Sequence, residues 1–265
     1  MKTITSLPFL LLLICCILIT QPTSSTNNEN LFVNGGHAHE EYDPSYFSRF
    51  QTIESILKDA DQKFGKGNRS LDYYNHIATI LRKRFYHGFS HYSFGENALA
   101  YFSGYVWDHL SAIVIPDDIL KHPSAACSQQ AIVLMEIFRR TNTDFRKVSL
   151  EGHFVLEGFI DNEWRFFDTN IEPDIMNDRK SFEHMVASNL LQPAYKKTKI
   201  SSERINSWST EYTYGEINES PASNATLFHQ LGFWFQTKFL FIVFLCWAFT
   251  WLIIYTNNKR TFRKL

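Results

Sequence analysis

The sequence predicts an α+β domain carried on one C-terminal membrane helix, with helices first and an antiparallel sheet after them. Three observations lead there. Apolar residues recur at helical spacing from Tyr46 to Arg140, and the period drops to two from Lys147 onward. Near the end, Leu231 to Tyr255 is apolar and aromatic apart from Gln236, Thr237 and Lys238. That stretch matches the span of about 20 residues that a bilayer core requires.

Taken in order, the chain opens on Met1-Lys2, an apolar run from Leu7 to Ile19 and a polar exit, Gln21 to Ser25. A basic start, a short apolar run and a polar exit read as a signal peptide over 1-25. Residues 26-44 are polar, contain Gly35-Gly36 and read as a flexible lead-in. His37, His39, Glu40 and Glu41 cluster there, but without a second His pair or a cysteine this reads as a chance cluster. No metal and no cofactor is implied.

The main domain is expected over 45-200. Phe47, Phe50, Ile53, Ile56, Leu57 and Ala60 give a first helical face. Asn68-Arg69-Ser70 offers a stop and a cap, and Leu71 begins a second helix with Tyr74, Ile77, Ile80, Leu81 and Phe85 inward. Asn97 to Leu110 reads as a third helix, and Cys127 to Arg140 as a fourth. From Lys147 to Glu157 strict alternation reads as a strand. Asp161-Asn162 is a turn signal, and Trp164 to Asp168 is the returning strand. A modest helix follows near Phe182 to Leu191. Residues 201-230, rich in Ser, Thr, Asn and Glu, read as a stalk. The membrane helix is expected over 231-255 and a basic tail over 256-265.

Orientation follows from charge. The tail carries Lys259, Arg260, Arg263 and Lys264 with no acidic residue. By the positive-inside rule it is expected in the cytoplasm, with the domain extracytoplasmic on a single-pass anchor. A formal net charge of -1 gives no sign of a nucleic-acid partner.

Of the four cysteines, only Cys127 lies outside the apolar ends, so it has no partner for an intramolecular disulfide within the domain. It opens the fourth helix, where the partial positive charge of a helix N-terminus favours negative charge on sulfur. If the hairpin turns at Asp161-Asn162 with Ile160 facing Glu163, Asp168 falls opposite Val155. His153 is then diagonal to Asp168 on the same face, with Cβ atoms about 7–8 Å apart. The order Cys127, His153, Asp168 therefore reads as nucleophile, base and orienting carboxylate. The N–H groups around Cys127 are candidate oxyanion donors, with Tyr105 or Trp107 as further candidates. Gln129 and Gln130 read as exposed helix positions, and Trp164 as a packing residue on the hairpin.

The segments Ser124–Ala131, Gly152–Glu157 and Glu163–Asp168 resemble the Cys, His and Asp blocks of the transglutaminase-like superfamily, over the stretch Pro123 to Pro173. The resemblance implies a papain-like cysteine fold with the Cys on a helix and the His and Asp on adjacent strands. It implies Cys127 as nucleophile, His153 as base and Asp168 as orienter. Ala126 stands where many members have Gly, and Ser128 where the protein-crosslinking enzymes carry Trp. Those departures point to a compact, microbial-type member and away from glutamine crosslinking. The expected activity is acyl transfer or amide hydrolysis on a protein, peptide or envelope-polymer substrate. The alternative is a catalytically silent surface scaffold or interaction module on the same fold.

Overall fold

A computed structural model describes residues 41–175, 178–198, 200–220 and 222–262. The signal peptide, most of the lead-in and the cluster at His37 and His39 lie outside the described residues. The described chain is α+β and divides into two compact units. One comprises residues 41–90 and 113–223, the other residues 91–112 and 224–262. Within the stretch expected as one domain, 45-200, the excursion between Ser90 and Ile113 groups with the C-terminal helix.

In the first unit, the apolar stripe of Tyr46 to Phe64 is two helices, α1 (Pro44–Arg49) and α2 (Ile53–Phe64). Thr52 breaks it by adopting extended backbone and accepting the Ser55 N–H with its hydroxyl, an N-cap. The lead-in ends earlier than expected, since Asp43 caps α1 and its N–H donates to Lys83 O. Helix α3 (Leu71–Arg84) follows the expected face, with Tyr74, Ile77, Ile80 and Leu81 buried. At its end the buried Arg84 guanidinium donates to carbonyls of Phe50, Leu120 and His122, binding three segments together. After the excursion come α5 (Pro116–Ile119) and α6 (Cys127–Arg140). The excursion itself holds α4 (Ala98–Gly104) and a 3-10 turn, Asp108–Leu110, in place of one long third helix.

The alternation from Lys147 to Glu157 is two strands, where one was expected. Strands β1 (Phe145–Leu150) and β2 (His153–Ile160) pair antiparallel through a two-residue turn at Glu151-Gly152. Gly152 takes a positive φ of 62°, which a glycine adopts without steric cost. A hairpin with that loop preserves parity, so the alternation runs through the turn unbroken and hides it. Strand β3 (Glu163–Phe167) returns through Asp161-Asn162 with Ile160 opposite Glu163, as the turn signal predicted.

The expected stalk is not one. Residues 202–214 form helix α9 (Ser202–Thr210) and strand β4 (Tyr212–Tyr214), which pairs with β1. Ile205 and Trp208 are buried, so this segment is held by core packing despite its polar composition. The sheet order is β3-β2-β1-β4, antiparallel throughout. Helix α6 covers one face; Phe138 lies so close to Gly158 that any Cβ there would clash with its ring. The other face carries Val148, Leu150, Val155 and Phe166 against α7 (Phe182–Ala187), α8 (Leu191–Tyr195) and α9. Trp164 packs on the hairpin as expected, against Phe159 and beneath the Arg146 guanidinium.

Helix α10 runs without a break over Ser223–Phe262, starting before and ending after the expected span. Its stretch Ser223–Ile253 is long and apolar enough to cross a membrane, and the apolar window is not buried in protein. A soluble core helix of that composition would be covered.

Candidate active site

Cys127 is the first residue of α6, half-buried, behind an alanine N-cap. Alanine offers no side-chain acceptor to the first turn, and the Gln129 side chain reaches back to the N-cap N–H. The N–H groups there have no intrahelical acceptor, so they are donors beside the sulfur. Gln129 keeps the approach to this helix in place from within. Its Oε1 accepts the N–H groups of Ser90 (2.9 Å) and Ala126 (3.1 Å). Its Nε2 donates to Ser90 O and Ile113 O, both at 2.8 Å. Gln129 and Gln130 are both buried, which corrects their reading as exposed positions.

Gln129 uses both amide atoms to join Ser90 and Ile113 to the start of α6 within one unit. The Gln129→Met variant leaves two carbonyls and two N–H groups without that partner in a buried place. We expect destabilisation of at least about 3 kcal/mol, read as a lowered melting temperature of the full chain.

His153 opens β2 immediately after Gly152, and Asp168 follows the last residue of β3. His153 Nε2–H donates to Asp168 Oδ2 at 2.7 Å, the diagonal contact that hairpin parity predicted. An ionised carboxylate only accepts, so the proton sits on Nε2 and Nδ1 is left for sulfur. The Cys127 thiol lies near enough to the ring to help raise its pKa. The structure thus brings all three expected residues together within one unit.

The carboxylate is heavily held. Oδ1 of Asp168 accepts the N–H groups of Asn170 (3.2 Å) and Ile171 (2.9 Å). Oδ2 also accepts the Tyr195 hydroxyl at 2.8 Å. Burial alone would raise the Asp168 pKa, but the His153 charge and these donors hold it below its usual value. For His153, burial acts to lower the pKa. The Asp168 charge and hydrogen bond, with the Cys127 contact, outweigh that and raise it to about 9. At neutral pH the pair is accordingly an imidazolium on a carboxylate.

Trp208 covers the imidazole, with ring centroids 5.1 Å apart and planes inclined by 20°. Its Nε1–H donates to Glu151 O at 3.0 Å, so the indole grips the turn that carries His153. Trp208 and Tyr195 escaped the sequence reading, the first because it sits in a Ser-rich segment taken for a stalk. Ile205 and Trp208 at i and i+3 in that polar stretch are the signal for a short amphipathic helix. Tyr105 and Trp107 belong to the other unit; both are exposed, and the Tyr105 hydroxyl pairs with that of Tyr101.

No protein-family description, curated protein or solved structure matches the chain. A thiol on the first residue of a helix lies near an imidazolium that is fixed by a buried carboxylate. That set can offer a sulfur nucleophile, stabilise an oxyanion with backbone N–H groups and return a proton to a leaving group.

Proposed function

We propose that the chain is a membrane-anchored cysteine enzyme of transglutaminase-like type, acting by acyl transfer or by hydrolysis of an amide or peptide bond. The single observation that carries this is the His153 ring bonded to the Asp168 carboxylate with the Cys127 thiol near enough to act on its pKa. The chain order of the three blocks and their helix-strand-strand placement agree with a papain-like core. Helix α10 would supply the anchor, and the basic residues of the C-terminal end support, by the positive-inside rule, an extracytoplasmic catalytic unit.

In the reaction, the sulfur of Cys127 attacks the acyl carbon, and the oxygen takes the negative charge beside the first N–H groups of α6. The C–N bond then breaks as the imidazolium gives its proton to the leaving amine, which departs neutral. A thioester remains on Cys127. Water, or a second amine, attacks it while neutral His153 removes the proton from the attacking atom. The C–S bond breaks, the acid or new amide leaves, and the thiolate–imidazolium pair is restored. Asp168 keeps Nε2 protonated throughout and stabilises the imidazolium.

The test is alkylation by iodoacetamide, followed by mass spectrometry at pH 6 in the full chain. Cys127 is expected to react faster than a model thiol, and His153→Ala to remove the advantage. Labelling no faster than the model thiol, unchanged by His153→Ala, would eliminate the enzyme and leave a surface scaffold on the same fold.

A further inference from the structure

The excursion over residues 91–112 packs within its unit on the first turns of α10. Asn97 Nδ2 donates to His229 O at 3.0 Å, and His229 Nε2 bonds Leu110 O at 3.0 Å. Gln236, inside the apolar stretch, has both amide atoms engaged. Its Oε1 accepts the Ala98 N–H at 2.8 Å, and its Nε2 donates to Gly95 O at 3.0 Å. Tyr92 meets the rings of His229 and Phe233 edge-on. The excursion therefore satisfies a polar side chain that a helix entering lipid would otherwise present bare, at a cost of several kcal/mol per group.

The same excursion leaves its own large apolar residues uncovered. Phe102, Tyr105, Val106 and Trp107 are 58%, 75%, 89% and 60% exposed. Trp234 and Phe235 on α10, in the same unit, are 57% and 48% exposed. Large apolar residues exposed together in one compact unit mark a surface that something else covers. Residues 91–112 contain no Lys or Arg, so attraction to a charged polymer is not what the patch offers. Tyrosine and tryptophan rings beside aliphatic groups suit the boundary between lipid headgroups and acyl chains.

We propose that residues 99–107 are a second membrane-contact element, an aromatic foot set into the bilayer interface where α10 enters it. The partner is a phospholipid surface. The foot depends on α10 spanning the membrane, and on nothing in the cysteine chemistry. Continuity decides between lipid and a protein partner: the patch shares one compact unit with the exposed apolar start of α10, which lipid must already cover.

The test uses the full chain with its native cysteines replaced by serine, reconstituted in phosphatidylcholine vesicles. One version carries an environment-sensitive fluorophore at Val106→Cys, another at Phe249→Cys in the apolar part of α10. The expected result is blue-shifted emission at 106 that is lost with shallow nitroxide lipids and resists aqueous iodide. The label at 249 is expected to be quenched by deep nitroxide lipids. Quenching at 249 with iodide access at 106 overturns the foot and leaves the membrane helix standing. Protection at 106 from lipid nitroxide and iodide alike means a protein surface covers it, which also overturns the foot. No lipid quenching at either site removes the membrane reading itself.

Discussion

Replacing Cys127 by alanine is expected to reduce amide turnover by about 10⁶-fold, to the level of background. The measurement is release of amine from a peptide-amide library by the full chain in detergent. His153→Ala is expected to lose about as much, and the double variant no more than either alone. The reason is that the three groups act as one device. Without sulfur there is no thioester, and without the imidazole there is neither proton donor for the leaving amine nor counter-charge for the thiolate. Asp168 is bonded to the Asn170 and Ile171 N–H groups and to Tyr195 whether or not sulfur is present. None of these bonds involves Cys127, and Cys127→Ala is expected to melt as wild type does. If Cys127→Ala keeps its turnover, or fully supports function in the cell, the thioester is wrong and the scaffold reading takes its place.

Much of this site was legible in the sequence because strand parity is a strong constraint. Given a turn at Asp161-Asn162, the side of the sheet on which His153 and Asp168 meet follows from counting, and the contact is 2.7 Å. The helix of Cys127 was legible because nothing after Pro123 interrupts its apolar stripe. What stayed hidden was long-range. Gln129 looks like a solvated helix residue until Ser90 and Ile113, far away in sequence, close around its amide. Trp208 lies among serines and threonines, where composition says linker, and only tertiary burial against His153 makes a helix of that segment. The excursion at 91–112 was read as a helix of the main domain because its partner, α10, lies more than a hundred residues downstream. Local pattern predicts periodicity within an element, and it says little about which distant element will cover it.

Asp168→Asn should move the alkaline limb of the pH profile by two units or more. In the wild type, acylation needs the imidazolium, whose pKa is about 9, so kcat/KM is expected to fall as pH rises through that value. Asparagine keeps an oxygen that can accept the Nε2–H but carries no charge. Burial, which acts on His153 in the opposite sense, then prevails, and the pKa drops toward or below the ordinary imidazole value of about 6.5. At pH 8 the imidazolium population falls about thirty-fold or more on that ground alone. Stability follows the same linkage. A folded pKa raised above the unfolded one gives stability that is fully present below about pH 6.5 and is lost as pH rises through about 9. For this buried ring the effect is about 3 kcal/mol. The lowered pKa of Asp168 has the mirror consequence, with stability present above about pH 3.9 and lost as pH falls through the folded value; both describe one ion pair and count once. Thermal melting of wild type between pH 6 and 10 should therefore show a decline that Asp168→Asn lacks. An Asp168→Asn limb still near pH 9 would mean that the carboxylate does not set the charge on His153.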